Sequence, residues 1–326
     1  MRNVLVTGGA GYIGSHTCLA LSREGFTPVV LDNLKNGHRE FVQWGPFELG
    51  DVRDRRRLDQ ILLTYRPVAV VHFAGLIEVA DSIANPIAFF DNNITGSLTL
   101  LAAALSAGVH GLVFSSTCAT YGIPDQIPMP ESHAQIPISP YGRSKLIIEQ
   151  VLSELSRYKD FRSVSLRYFN AAGAEPESAL GEWHNPETHV IPLAIQAAKG
   201  LRPHFKIYGS DYPTRDGTCI RDFVHVTDLA EAHVRAVEYL LSGGKSVALN
   251  LGTGEGTSVK ELIDAVENVS GSRLPIELAL RRDGDPPELV ADNSRARKVL
   301  AWSPRHDFGS IIESAWRWHS RAEIHV

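Results

Sequence analysis

Residues 2–6 (Arg-Asn-Val-Leu-Val) form a short apolar, β-branched run. Behind it, strand-length apolar segments alternate with segments whose apolar residues recur at helical spacing. This pattern predicts strands over about 2–7, 28–31, 46–49, 69–73, 111–115 and 162–167, with helices over about 12–24, 54–65, 91–107 and 141–158. Val68-Ala-Val-Val71 and Gly111-Leu-Val-Phe114 are almost continuously apolar, as strands covered on both faces should be. Such alternation predicts an α/β fold with a doubly wound parallel sheet. Ligands of these sheets sit beyond the carboxyl ends of the strands. Asp51, Val52, Phe73, Ala74, Gly75, Ser115, Thr117, Phe169 and Asn170 follow predicted strand ends and should line one crevice.

The rhythm breaks after about Ala171. Residues 173–189 carry little periodicity and read as a long irregular segment, followed by a helix over 190–200 and a short strand ending at Tyr208. Residues 210–218 are rich in Gly, Asp and Pro and read as a loop. A helix over 227–241 and a strand over 247–251 regain the α/β rhythm and are expected to return to the main sheet. The last quarter, with Arg281-Arg-Asp-Gly-Asp-Pro-Pro287, reads as a smaller unit covering the substrate.

Apolar residues at 44% and charged residues at 21% describe an ordinary soluble globular chain. A net charge of −5 gives no electrostatic case for nucleic acid or an anionic membrane. No apolar run reaches the roughly twenty residues a membrane helix needs. Cys18, Cys118 and Cys219 are isolated, which suits buried free thiols in a reducing compartment. The chain starts directly on a core strand, so no signal peptide is expected and the expected location is cytoplasmic. The histidines are scattered. His184 and His189 are the closest suggestive pair, but their loop spacing fits no common site, so no metal is expected.

Two stretches carry chemistry. Thr7-Gly-Gly-Ala-Gly-Tyr-Ile-Gly14 stands between a strand and a helix, where Gly8, Gly11 and Gly14 permit a tight turn, close approach to a pyrophosphate and close helix–strand packing. The free amides and dipole of the following helix favour phosphate charge. Asp32 ends the second strand, where a carboxylate accepts from both ribose hydroxyls and repels a 2′-phosphate. That predicts NAD over NADP, with Lys35 and Arg39 as the opposing charges. The second stretch is Tyr141-Gly-Arg-Ser-Lys145, whose phenol and ammonium share one helix face. An ammonium beside a phenol favours the phenolate, and Thr117 adds a hydroxyl at a nearby strand end. We therefore expect a dinucleotide-binding domain over 1–171, rejoined at about 222–252, and a substrate domain over 172–326.

Together with His72-Phe-Ala-Gly75, Asp91-Asn-Asn93, Phe114-Ser-Ser-Thr117, Leu166-Arg-Tyr-Phe-Asn170, Asp216-Gly-Thr218 and Arg221-Asp-Phe-Val-His225, these motifs resemble the extended short-chain dehydrogenase/reductase family over nearly the whole chain. Within it the chain is similar to the UDP-hexose 4-epimerases. The resemblance implies a Rossmann-like nucleotide domain with a smaller C-terminal substrate-binding domain. It also implies NAD-dependent inversion of C4 in UDP-glucose and UDP-galactose, by transient oxidation, rotation of the 4-keto sugar and re-reduction. Tyr141 is then the catalytic base, Lys145 its electrostatic partner and ribose ligand, and Thr117 the hydroxyl. The resemblance puts Gly8, Gly11, Tyr12, Ile13, Gly14, Asp32, Asn33, Asn36, Asp51, Val52, Phe73, Ala74, Gly75, Asn92, Ser115 and Tyr168 at NAD-contacting positions, with Tyr141 and Lys145. It puts Asn170, His189, Val190, Lys206, Tyr208, Arg221, Arg282 and Asp285 around the UDP-sugar, beside Thr117 and Tyr141. Arginine forks match diphosphate oxygens, and an aromatic at 208 can stack on uracil.

Three departures from the family pattern stand out. Ile77 replaces a frequent lysine, Phe223 a common tyrosine, and Leu289 a tyrosine at the edge of the sugar pocket. The last leaves open another UDP-sugar, such as UDP-N-acetylglucosamine or the UDP-xylose/UDP-arabinose pair. A related dehydratase would need Asp-Glu after the active-site Thr, where this chain has Cys118-Ala119. A non-catalytic NAD-binding scaffold is opposed by the intact Thr117, Tyr141 and Lys145. The resemblance further implies a homodimer built on the helices at about 91–107 and 141–158, whose apolar faces include Leu98, Leu101, Leu105, Leu146, Ile147 and Leu152.

Overall fold

The computed structural model describes residues 2–177, 180–282 and 284–321. Asp283, within the Arg281–Asp285 motif, lies outside the described residues. Six strands, β1 (Arg2–Thr7), β2 (Phe26–Asp32), β3 (Phe47–Leu49), β4 (Ala69–His72), β5 (Gly111–Thr117) and β6 (Arg162–Tyr168), form one sheet with Val247–Leu251. The order across it is Val247–Leu251, β6, β5, β4, β1, β2, β3, with every neighbouring pair parallel. The order reverses between β1 and β4, so the loops after Thr7 and His72 flank the switch point where ligands of such sheets bind.

Alternate residues of each strand face opposite sides. Val4, Val6, Val71, Val113, Val164 and Leu249 pack on one side with residues of the helices Tyr12–Arg23 and Val226–Leu241. Leu5, Val29, Leu31, Val70, Leu112 and Phe114 pack on the other with Leu58, Leu100, Ile148 and Leu152 of the helices Arg55–Tyr65, Gly96–Ser106 and Pro140–Tyr158. Double coverage explains the continuous apolar runs. A separate core joins the helices Val190–Ala198, Val259–Ser270 and Phe308–His319 to the strand Phe205–Tyr208.

One predicted helix differs in kind. Instead of an α-helix from residue 91, a helical stretch starts at Pro86, passes through a π-helical turn over Phe90–Thr95, and becomes α-helical only at Gly96. Gly96 explains the close fit there: a Cβ on it would lie 2.7 Å from Val52 Cγ2. The wider turn turns Asn93 inward, where it is buried.

Candidate active site

The glycine loop is built for close approach. Gly8 has φ +73, and a Cβ on it would come within 2.7 Å of the Ala74 nitrogen. A Cβ on Gly14 would sit 2.2 Å from the Gly8 carbonyl oxygen, so only glycine lets the helix rise this near the loop. Gly11 caps the helix Tyr12–Arg23 without a side-chain hydrogen bond, leaving its first amides to a ligand. The amides of Phe73 and Ala74 both donate to the Thr7 carbonyl, tying the β4 loop to this cradle. These features fit a dinucleotide pyrophosphate. Asp32 accepts from the amides of Ala10 (3.0 Å) and Leu34 (2.9 Å), fixing its carboxylate beside the loop. Burial raises its pKa, against the pull of those amides. Arg39 is turned away, its guanidinium over the Phe47 ring and bonded to the Val42 carbonyl. Asp51 accepts from Asn33 and Arg53, and Arg53 also reaches Asp91 at 2.6 Å. Asn36 is exposed in the loop that follows.

Tyr141 and Lys145 open the helix Pro140–Tyr158, started by Pro140 and capped by the Ser139 hydroxyl. Lys145 is buried; its Nζ donates to the Ser115 carbonyl at 2.8 Å and lies 6.0 Å from the Tyr141 ring centre. Burial lowers its pKa to about 8, with Glu149 opposing. The half-buried Tyr141 departs from expectation. Burial and the neighbouring Tyr168 push its phenol well above the usual range, while the Thr117 hydroxyl acts the other way. Lys145 donates to the Ser115 carbonyl rather than to the phenol, and the expected lowering of the phenol is not found. The hydroxyls of Ser115 and Tyr168 are hydrogen-bonded, and burial holds Tyr168 up at about 12. Asn92 donates to the Asn93 side chain, which bonds Leu76 and Ser144 and would face a Cβ on Gly75 at 3.3 Å.

A buried network missed by the sequence reading braces these elements. Glu149 accepts from Arg167 (3.0 Å) and from the Ser116 hydroxyl, while Arg167 also donates to the Tyr121 hydroxyl at 2.9 Å. Glu149 falls four residues after Lys145, as Lys145 does after Tyr141, and this spacing was its signal. His233, with rings near Phe73 (4.6 Å) and Tyr168 (6.1 Å), left none.

The residues expected around the substrate are partly joined. Arg221 pairs with Asp285 at 2.5 Å, and the Arg282 guanidinium lies 3.9 Å over the Tyr208 ring. Lys206 is exposed and pairs with Glu277, and Asn170 heads a short strand beside Phe223. Phe223 is buried against Phe308, so its ring belongs to the core. Ile77 is exposed. Leu289 packs against the cluster of Cys118 and Phe169, directly after Thr117 and before Asn170. His189 caps the helix that Val190 begins.

His184 and His189 are closer than their spacing suggested, because the irregular segment folds back on itself. Ligand atoms of Glu182, His184, Glu187 and His189 all lie within 4.8 Å of one another. Burial pushes Glu182 up to about 7; burial alone would lower His189, but Glu182 and Glu187 hold it up at about 9.

Residues 4–252 match the model of the NAD dependent epimerase/dehydratase family. The UDP-glucose 4-epimerase of Rhizobium meliloti (strain 1021) is 63% identical over 320 residues, covering 98% of each chain. The crystal structure of UDP-glucose 4-epimerase from Brucella ovis in complex with NAD superposes with a TM-score of 0.95 at 47% identity, over 97% of this chain and 98% of that one. The UDP-Glc/GlcNAc 4-epimerase of Campylobacter jejuni gives 0.86 at 40% identity, over 98% of this chain and 99% of that one.

Proposed function

The chain belongs to the NAD dependent epimerase/dehydratase family, and on that premise we infer that it is an isomerase inverting C4 of UDP-hexoses, interconverting UDP-glucose and UDP-galactose. The observation that carries this reading is the grouping of Thr117, Tyr141 and Lys145, with the Thr117 hydroxyl acting on the Tyr141 phenol and Lys145 6.0 Å from its ring, and with Cys118 and Ala119 where a dehydratase requires an acid.

In this reading Tyr141 takes the proton of the sugar 4-hydroxyl, with the Thr117 hydroxyl alongside. Tyr141 becomes an acceptor once positive charge enters the crevice, because that charge opposes the effect of burial. Gly8, Gly11, Gly14 and the first turn of the helix would hold the pyrophosphate of NAD, and Asp32 its ribose. Bound there, the cofactor would supply a reversible hydride acceptor for C4, so no net oxidation would result. Asn170, His189, Val190, Lys206, Tyr208, Arg221, Arg282 and Asp285 hold UDP. Anchoring the nucleotide leaves the 4-keto sugar able to turn and present its other face. We assign nucleotide binding to residues 1–171 with the return at about 222–252, and substrate binding to the rest of 172–326. Incubating the purified protein with UDP-galactose, without added cofactor, is expected to give UDP-glucose up to an equilibrium mixture; no turnover, or a dehydrated product, refutes the assignment.

Leu289 favours a second substrate. It offers less bulk than tyrosine next to Cys118, leaving room beside C2 for an acetamido group. UDP-N-acetylglucosamine is then accepted beside UDP-glucose. Leu289→Tyr should lower kcat/KM for the acetamido sugar selectively; rejection of that sugar by the native protein sinks the idea. We further assign a homodimer in the cytoplasm. Among the described residues no helix is long and apolar enough to cross a membrane, and the three cysteines are free and buried.

A further inference from the structure

The side chains of Glu182 and Glu187, in the irregular segment after Gly173, are buried together, with the His189 imidazole 3.1 Å from each and the Thr188 and His189 amides on Glu187. The side chains of Glu182 and Glu187 are 6% and 7% exposed, and their ion-pair partners among the described residues are His184 and His189 alone. Burying two carboxylates is costly unless each meets a compensating charge or a metal. The two histidines differ in how far they meet that need. His189 Nδ1 lies 3.1 Å from an oxygen of each carboxylate. His184 Nδ1 lies 3.6 Å from Glu182 and 3.8 Å from Glu187, too far for hydrogen bonds, and this buried nitrogen has no hydrogen-bond partner. A tetrahedral ion with bonds of about 2.0–2.2 Å sets its ligands roughly 3.3–3.6 Å apart; the nitrogen–oxygen separations here run from 3.1 to 3.8 Å and the four donor atoms all lie within 4.8 Å of one another, so the side chains close in around an ion.

We propose that Glu182, His184, Glu187 and His189 form a four-coordinate site for a divalent transition-metal ion of the zinc type. Two imidazoles and two carboxylates are a donor set suited to zinc, and to cobalt as its spectroscopic substitute. The backbone of the segment is held in advance. The Glu182 carbonyl accepts from the Trp318 indole at 2.9 Å, the Trp183 carbonyl bonds His38 at 2.9 Å, and Trp183 stacks on His38. Little reorganisation is then needed when the ion binds. Through Nδ1 His189 serves the ion, which leaves Nε2 uncommitted to it. His184 meets the ring of Tyr12, so the ion ties this segment to the glycine loop. The proposal does not depend on which sugar the enzyme turns over.

The test uses the full-length protein with its nicotinamide cofactor, produced without an affinity tag. Elemental analysis as purified, and zinc titration by calorimetry after treatment with a chelator, should each give one ion per chain. Cobalt should give the intense visible absorption of a tetrahedral site. His184→Ala and Glu182→Gln should each weaken zinc affinity at least about 100-fold, since even outer partners of metal ligands are worth 10–100-fold. Failure of the unaltered, chelator-treated protein to take up zinc or cobalt at 100-fold excess overturns the site. Uptake undiminished in both variants also overturns it, because the ion then sits elsewhere. The measurement on the unaltered chain stands if either variant misfolds.

Discussion

At the level of single residues, Tyr141 and Asp32 stand out in the sequence because of their spacing to a lysine or to a strand end, and the structure places Asp32 at the end of β2 and Tyr141 on the same helix as Lys145. The electrostatic state of Tyr141 was not legible, since burial is a property of the folded chain. Tyr141→Phe should retain the fold and bound NAD while turnover falls by about 10²–10⁴-fold, the worth of a positioned proton acceptor; near-native turnover would remove Tyr141 from the mechanism. Lys145 gives the pH dependence. Its folded pKa, about 8, lies below the unfolded value near 10.4, so folding favours the neutral amine. As pH rises through about 8 the buried ammonium gives up its proton, so thermal stability should gain from this group up to about pH 10.4. Lys145→Met should abolish that trend, and an unchanged stability profile in that variant would show that Lys145 is not its source. For Asp32, the protein should purify with NAD and bind NADP far more weakly. Equal binding by equilibrium dialysis would mean that the carboxylate does not govern the pocket.

Among elements, the strand–helix rhythm of the first half was readable because buried parallel strands and amphipathic helices leave distinct periods. The π-turn at Phe90–Thr95 was hidden, because it changes the turn's width without changing composition. Of the Glu149–Arg167 brace the sequence carries only the helical spacing of Glu149, since a charged residue reads as surface until its partner is known. It joins β6 to the helix Pro140–Tyr158, and through Ser116 to β5. Glu149→Gln leaves the Arg167 guanidinium buried without its counter-charge and should cost about 3–5 kcal/mol, measured by denaturant unfolding. A loss below about 1 kcal/mol would show that the pair is dispensable. Gly14→Ala tests the cradle itself. Its Cβ must displace the Gly8 carbonyl, so bound NAD should be lost on gel filtration, with stability lowered by about 1–3 kcal/mol.

For the whole molecule, the expected dimer rests on two helices whose apolar residues divide. Leu101 and Leu152 are consumed by the core, whereas Leu98 is 43% exposed and Leu146 and Ile147 are half-buried. The outward set is what a partner would cover, and light scattering at micromolar concentration should give twice the chain mass; a monomer throughout would refute it. The sheet has a further property, set by the strand Val247–Leu251 lying beside β6. Until that late strand emerges from the ribosome, β6 has an unpaired row of amides and carbonyls, a ready template for another chain. At roughly 5–20 residues per second, synthesis leaves this edge open for some seconds. Nascent chains thus pass through a window in which they are sticky, and a fragment ending at Ala171 should stay in it. Such a fragment is expected to aggregate while the full chain remains monodisperse, so the order of synthesis, as much as the final packing, governs the yield of folded protein.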